Sequence, residues 1–146
     1  MVVLIADDDP DDRLLIRDAF GEIPFSVNLH FVENGQELLD YLHHLNGYAD
    51  SNETPNPDLI LLDLNMPGKD GRQALREIKS NPDVRNIPVV IFTTSKEQEE
   101  IEECYKLGAN SFVTKPLTFD GLVQAVKILG LYWFEIVRLP TEREAY

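Results

Sequence analysis

The chain has 146 residues, a common length for one globular domain, and we expect a single domain over residues 1–146. Thirteen Lys and Arg against 26 Asp and Glu give a net charge of -13, which excludes nucleic acids and anionic membranes as expected partners. No apolar run approaches the roughly 18 residues of a membrane-spanning helix. The single cysteine excludes an internal disulfide, and no secretion signal is evident, so we expect a cytoplasmic protein.

The first part of the chain predicts two strand-helix units. Val2–Ala6 is a continuous apolar run, typical of a strand buried on both faces of a parallel sheet. Asp9 and Pro10 predict an N-cap followed by proline at the first helical position, in a helix that ends at Gly21. Apolar and polar residues alternate over residues 27–31, which predicts a strand nearer the sheet edge, and a second helix follows.

Three more units complete the pattern. Two apolar runs, residues 59–62 and 89–92, predict buried strands, and residues 111–114 predict a short fifth strand. The last helix begins near Thr118 and carries an apolar stripe at spacings of four and three: Leu122, Val126, Leu129, Trp133 and Ile136. Five strand-helix alternations predict an α/β fold, a doubly wound, flavodoxin-like parallel sheet of order 2-1-3-4-5 with helices on both faces.

Polar side chains stand where the predicted strands end. Asp7 and Asp8 follow strand one, and Asp63 follows strand three. Thr93 comes at the end of strand four and Lys115 after strand five. Because open α/β sheets bind ligands at the carboxyl ends of their strands, these side chains are expected to converge on one edge.

The predicted convergence of carboxylates indicates a metal site. Three carboxylates repel one another strongly unless a positive charge lies among them. A site built only from oxygen atoms suits Mg²⁺, which keeps several water ligands that a phosphoryl oxygen can replace. The expected protein ligands are the side chains of Asp7, Asp8 and Asp63 and the backbone carbonyl of Asn65.

The same edge carries the groups that phosphoryl transfer to a carboxylate requires. Asp63 is the candidate nucleophile and phosphoacceptor. Lys115 is expected to form an ion pair with a phosphoryl oxygen, and Thr93 to donate a hydroxyl hydrogen bond to another.

Four segments resemble the receiver domains of bacterial two-component response regulators: residues 4–9, 61–71, 90–95 and 108–116. The resemblance implies that a sensor histidine kinase phosphorylates Asp63 from a phosphohistidine, in a reaction that needs Mg²⁺ bound by Asp7 and Asp8. It also implies a switch, in which the Thr93 hydroxyl turns toward the phosphoryl group and Phe112 follows inward. The surface of helix four, strand five and helix five is thereby remodelled.

Three further features concern how closely the chain resembles the family. Phe112 stands where a tyrosine is common, which excludes a readout through a hydroxyl at that position. A cis peptide before Pro116 is usual in the family. The long loop before strand three and the tail look most like the stand-alone regulators paired with phytochrome-type histidine kinases, with residues 131–146 as a C-terminal extension and no separate output domain.

The last helix carries more apolar surface than one sheet face requires. Leu131, Tyr132 and Phe134 lie off the main stripe. Two explanations remain open: the tail packs within the molecule, or two copies form a homodimer through the surface of helix four, strand five and helix five.

Simpler explanations exist for individual residues. Asp63 alone could be a solvated turn residue, and Phe112 an ordinary core aromatic. Thr93 could belong to a cap of the fourth helix, a role expected of Ser95. Asp12 is expected only to compensate the dipole of the first helix.

Two other functions remain as alternatives. One is a scaffold that keeps the fold without phosphotransfer, against which the intact acids and lysine argue. The other is a flavin-binding electron carrier, which needs a phosphate-binding loop after strand one, where this chain has six residues rich in aspartate, 7–12.

Overall fold

A five-stranded parallel sheet forms the centre of the computed structural model, which describes residues 1–50 and 52–140. The strands lie in the order β2-β1-β3-β4-β5, and every neighbouring pair is parallel. Their bounds are Val2–Ala6 (β1), Asn28–Val32 (β2), Leu59–Leu62 (β3), Val89–Thr93 (β4) and Ser111–Thr114 (β5). The predicted fold is confirmed, including the edge position of β2.

Five helices connect and cover the strands: Pro10–Gly21 (α1), Gly35–His43 (α2), Gly71–Ser80 (α3), Gln98–Lys106 (α4) and Phe119–Gly130 (α5). The predicted caps of the first and last are present. The Asp9 carboxylate accepts hydrogen bonds from two N–H groups of the first turn of α1, and the Thr118 hydroxyl accepts one from Gly121 N–H at 3.0 Å.

The sheet has a separate hydrophobic core on each face. Helices α1 and α5 cover one face, where Val90 and Phe92 of β4 point, and α2, α3 and α4 cover the other, where Val89 and Ile91 point. Because side chains alternate along a strand, Thr93 continues the second set, on the face of α2, α3 and α4. The switch candidate therefore lies on the side of the sheet that α4 covers.

The start of α4 differs from the prediction. Glu97 is the N-cap residue, and no side chain caps the helix there. Ser95 lies two residues earlier, where its hydroxyl accepts a hydrogen bond from Glu97 N–H at 3.3 Å, so the prediction that Ser95 caps α4 was wrong. The helix ends at Lys106, and Gly108 follows it with a φ of 106° that favours glycine.

The predicted apolar stripe of the last helix breaks at its end. A π-helical segment, Leu131–Ile136, continues α5, and Val137 N–H donates to Tyr132 O at 2.9 Å. This wider turn rotates later side chains relative to an α-helix, so Trp133 is buried while Ile136 is 70% exposed. Including Ile136 in the buried stripe was wrong for that reason.

Within the described residues, no helix combines the length and the apolar content needed to cross a membrane. The predicted extension, residues 131–146, is described only as far as residue 140. Residues 141–146 lie outside the described part of the chain.

Candidate functional site

The backbone fixes three predicted site residues at one edge of the sheet. Asp7 N–H donates to Val32 O at 3.0 Å, and Asp63 N–H donates to Ala6 O at 3.0 Å. Lys115 N–H donates to Thr93 O at 2.7 Å. Each bond continues the hydrogen-bond pattern of the sheet one residue beyond a strand. The side chains of these residues are therefore anchored on rigid backbone at the carboxyl end of the sheet.

The Lys115 ammonium group lies among three carboxylates. Its Nζ donates to Asp7 Oδ2 at 2.7 Å, to Asp63 Oδ2 at 3.1 Å and to Asp12 Oδ2 at 3.1 Å. Lys115, Asp7 and Asp63 are all buried. The predicted meeting of strands one, three and five is thus observed as direct contact between charged groups.

Burial and charge act on the protonation of this cluster. Burial raises the pKa of the Asp7 carboxyl group, although the hydrogen bond and the charge of Lys115 oppose this effect. Burial alone would lower the pKa of Lys115, but the hydrogen bond to Asp7 and the charges of Asp63 and Asp7 raise it above its ordinary value. Lys115 is therefore a permanent positive charge at physiological pH.

Three of the predicted metal ligands lie close together in the structure. One carboxylate oxygen from each of Asp7, Asp8 and Asp63 lies within 4.8 Å of the others, with Asp8 on the exposed side. Lys115 balances only one of these three negative charges. The remaining negative charge and the all-oxygen donor set fit a hard divalent cation such as Mg²⁺.

The loop after β3 lies close to the phosphoacceptor candidate. Asn65 N–H donates to Asp63 Oδ1 at 3.3 Å, which brings Asn65 to the site, while the metal-binding role of its carbonyl stays a prediction. The first residue of α3, Gly71, packs against the same loop. A Cβ atom at Gly71 would lie 2.2 Å from Asp63 O, so only glycine permits this approach of α3 to β3.

Thr93 and Phe112 occupy positions compatible with the predicted switch. Thr93 is fully buried, and its hydroxyl has no hydrogen-bond partner among the described residues. A buried hydroxyl without a partner is costly, so this group is suited to an acceptor that arrives with a ligand. Phe112 lies on the neighbouring strand and packs, partly buried, against the core under α2, α3 and α4. Both residues belong to the same face of the sheet.

One family feature is absent. The described residues contain no cis peptide bond, so the prediction of a cis bond before Pro116 was wrong. Lys115 Nζ contacts both Asp7 and Asp63 with a trans bond before Pro116.

Asp12 is the site residue that sequence reasoning missed. It was expected only to compensate the dipole of α1, yet its carboxylate also binds Lys115. Asp9 does cap the helix, as expected. The available signal was position: a residue in the first turn of a helix that starts just after Asp8 lies beside the strand ends.

Comparison with known proteins identifies the family. Residues 3–127 match the response regulator receiver domain, and the chain belongs to this family. Phosphorylation on an aspartate and Mg²⁺ binding at an acidic pocket are general for receiver domains. Membership also argues against the flavin-binding alternative.

Two relatives, Rcp1 and RcpA, show more closely which receiver domains the chain resembles. The chain is 36% identical over 139 residues to Response regulator Rcp1 of Synechocystis sp., covering 95% of this chain and 92% of that protein. The crystal structure of a phosphorylated cyanobacterial phytochrome response regulator, RcpA, has 36% identity and a TM-score of 0.88, covering 96% and 98% of the two chains. The Mn²⁺-bound structure of Rcp1 has 35% identity and a TM-score of 0.85, covering 96% and 99%. The chain is thus a receiver domain similar to the response regulator Rcp1 and to the phytochrome response regulator RcpA.

Proposed function

We propose that Asp63 accepts a phosphoryl group from the phosphohistidine of a sensor histidine kinase. The observation that carries the proposal is the contact of Asp63 with Lys115, beside Asp7 and Asp8, at the end of a receiver sheet. An Asp63 carboxylate oxygen attacks the phosphorus atom while the phosphorus–nitrogen bond breaks. The kinase histidine leaves with the electron pair, and the product is an aspartyl phosphate.

The residues around Asp63 have separate roles in the phosphoryl transfer. Lys115 pairs with a phosphoryl oxygen, and its raised pKa keeps it charged during the reaction. The Thr93 hydroxyl donates to a second phosphoryl oxygen, which supplies the partner that this buried group lacks. Asp7, Asp8, Asp63 and the Asn65 carbonyl hold Mg²⁺, which offsets negative charge when bound. The chain catalyses only its own phosphorylation and dephosphorylation, and signalling is its main role.

The output of the reaction is a change in one surface. Thr93 moves toward the phosphoryl group, and Phe112 moves inward along the same face of the sheet. This rearranges α4, β5 and α5, whose altered surface is read by a downstream partner.

The kinase partner is proposed to be of the phytochrome type, because the relative RcpA is described as a cyanobacterial phytochrome response regulator. A cleft of about 290 Å³ opens beside Lys115, between α1 and the loop after β5. Leu117 at its rim is 95% exposed, and Phe119 is 39% exposed. An apolar rim next to the phosphoacceptor suits a helical kinase domain that must bring its histidine to Asp63.

A homodimer through α4, β5 and α5 is part of the proposal. Ile128 and Leu131, on α5 and its extension, are 62% and 42% exposed. Burial of these side chains would favour association of two copies. Light scattering with and without phosphodonor tests this: a monomer under both conditions at high concentration would exclude the dimer.

We also propose that residues 1–146 form one receiver domain and that the protein is located in the cytoplasm.

The proposed chemistry is tested by intact mass after incubation with a small phosphodonor and Mg²⁺. Wild-type protein is expected to gain one phosphoryl group, and Asp63→Asn none. Asp120→Asn, at the start of α5, is a matched control that should still gain the group. A wild type that gains none with any donor would favour the alternative of a scaffold without phosphotransfer.

A further inference from the structure

Tyr105 of α4 contacts the backbone of Phe112. The Phe112 N–H donates to the Tyr105 hydroxyl oxygen at 3.1 Å. Backbone N–H groups alternate in direction along a strand, and Lys115 N–H donates toward β4. Phe112 N–H, three residues earlier, therefore points to the open edge of β5. Tyr105 supplies the acceptor that this edge position lacks within the sheet.

This contact reaches the proposed switch residue from the helix that the switch must move. The Phe112 ring packs under α4, on the face where Thr93 carries its hydroxyl without a partner. The proposed rearrangement also shifts β5 relative to α4, and the backbone of Phe112 moves with β5. The bond to Tyr105 then has to lengthen or break, or α4 has to follow.

The other end of α4 is tied as well. The Glu100 carboxylate accepts a hydrogen bond from the Ser95 hydroxyl and pairs with the Arg72 guanidinium of α3. The Thr114 hydroxyl donates to Ser95 O at 3.1 Å. The loop that follows Thr93 is thus held by contacts to α3, α4 and β5 in the geometry where Lys115 contacts the Asp63 carboxylate directly.

We propose that Tyr105 is a positioning residue that holds Phe112 and α4 in this geometry and so opposes the switch. The proposal rests on the function proposed above. The side chain of Phe112 has no hydroxyl group. The hydroxyl group that takes part in the proposed switch belongs instead to Tyr105 of α4. Arg72 acts in the same direction through Glu100.

The size of the effect follows from linkage. A ligand that favours the switched geometry binds more tightly when the other geometry is destabilised. Loss of one partly exposed hydrogen bond shifts such an equilibrium by roughly two- to tenfold. Tyr105→Phe removes one oxygen atom, and the freed Phe112 N–H lies at the sheet edge where water can reach it.

The test is a titration of ¹⁵N-labelled protein with beryllofluoride, a reversible phosphoryl analogue, at saturating Mg²⁺. Tyr105→Phe is expected to bind it roughly two- to tenfold more tightly than wild type. The Phe112 amide signal should already be shifted before the analogue is added. The control is Tyr132→Phe, in the π-helical segment after α5, where the Tyr132 ring contacts Trp133; this variant should match wild type. Arg72→Met provides a second variant with tighter binding expected.

The possible outcomes distinguish failure of the Tyr105 inference from failure of the proposed function. If wild type binds beryllofluoride and Tyr105→Phe binds it equally or more weakly, Tyr105 has only a structural role and the inference is wrong. A lower thermal stability of Tyr105→Phe without tighter binding would overturn the inference in the same way. If wild type neither binds beryllofluoride nor gains a phosphoryl group, the proposed function fails and the inference with it.

Discussion

Lys115 Nζ donates to Asp7 Oδ2 at 2.7 Å, across 108 residues of sequence. The contact joins the end of the edge strand β5 to the end of β1, on the far side of β3 and β4 in the sheet. It also leaves an excess of negative charge, because Asp8, Asp12 and Asp63 surround the same lysine or lie beside it. This excess of negative charge favours the binding of a divalent cation at the site.

Replacement of Asp7 by Asn should change how stability depends on pH. Folding raises the Asp7 pKa because burial penalises the charged form. Ionised Asp7 therefore costs stability; the cost grows as the pH rises from 3.8, the ordinary pKa of the group, to the raised pKa of the folded state, and is constant above it. Without divalent cations, the free energy of unfolding of Asp7→Asn minus that of wild type should increase with pH, by at most about 1.4 kcal/mol per pH unit.

Denaturant titrations at several pH values measure this difference. Asp18→Asn, on the exposed side of α1, corrects for the loss of one negative charge. A difference that falls steadily as the pH rises would show that ionised Asp7 is stabilised by Lys115 more than it is penalised by burial.

Mg²⁺ should stabilise the folded protein, because only the folded chain brings three carboxylates within 4.8 Å. At one hundred times the Kd, the expected gain is about 2.7 kcal/mol. Asp8→Asn should lose most of this gain, while Asp18→Asn should keep it. Thermal unfolding with EDTA and with Mg²⁺ measures both, and an equal gain for Asp8→Asn would place the ion elsewhere.

Gly71→Ala should damage the site, because the new methyl group would lie 2.2 Å from Asp63 O and 2.8 Å from Leu64 Cα. The loop after β3 or the start of α3 must move, which costs roughly 1–3 kcal/mol of stability. The rate of phosphorylation by a small phosphodonor should fall with it. Gly21→Ala is the matched control, since a Cβ there meets nothing within 4 Å. Equal behaviour of the two variants would contradict the tight packing of α3 on Asp63.

Leu117→Ala should separate recognition of the kinase from chemistry. The side chain is 95% exposed at the rim of the cleft beside Lys115, so its loss should leave stability within about 0.5 kcal/mol of wild type. Phosphotransfer from a phytochrome-type kinase should slow roughly tenfold, the effect of a central apolar contact in an interface. Phosphorylation by a small phosphodonor should not change.

The control for kinase recognition is Leu45→Ala, which removes an exposed apolar side chain just after α2. It should transfer at the wild-type rate. Equal slowing of both variants would mean that the kinase docks elsewhere or that general surface hydrophobicity controls the rate.

The strands could be predicted from sequence patterns because the signal for each strand lies in its own residues. Buried parallel strands such as Val2–Ala6 and Leu59–Leu62 read as continuous apolar runs, and the alternation in β2 matched its edge position. Caps such as Asp9 and Thr118 depend on neighbours two or three residues away, so they too were predictable.

Other features depended on contacts that no local pattern encodes. The binding of Asp12 to Lys115 and the hydrogen bond from Phe112 to Tyr105 join residues through the fold. The exposure of Ile136 follows from a π-helical turn, whereas the prediction assumed an α-helical period throughout. The peptide bond before Pro116 is trans, whereas the expected cis bond rested on the family resemblance alone.

The most direct measurement is the location of the phosphoryl group. After reaction with a small phosphodonor and Mg²⁺, borohydride reduces an aspartyl phosphate to homoserine, and peptide mass spectrometry identifies the residue. We expect homoserine at position 63 in wild type and at no position in Asp63→Asn. Homoserine at position 7 or 8, or at any position in Asp63→Asn, would contradict Asp63 as the phosphoacceptor.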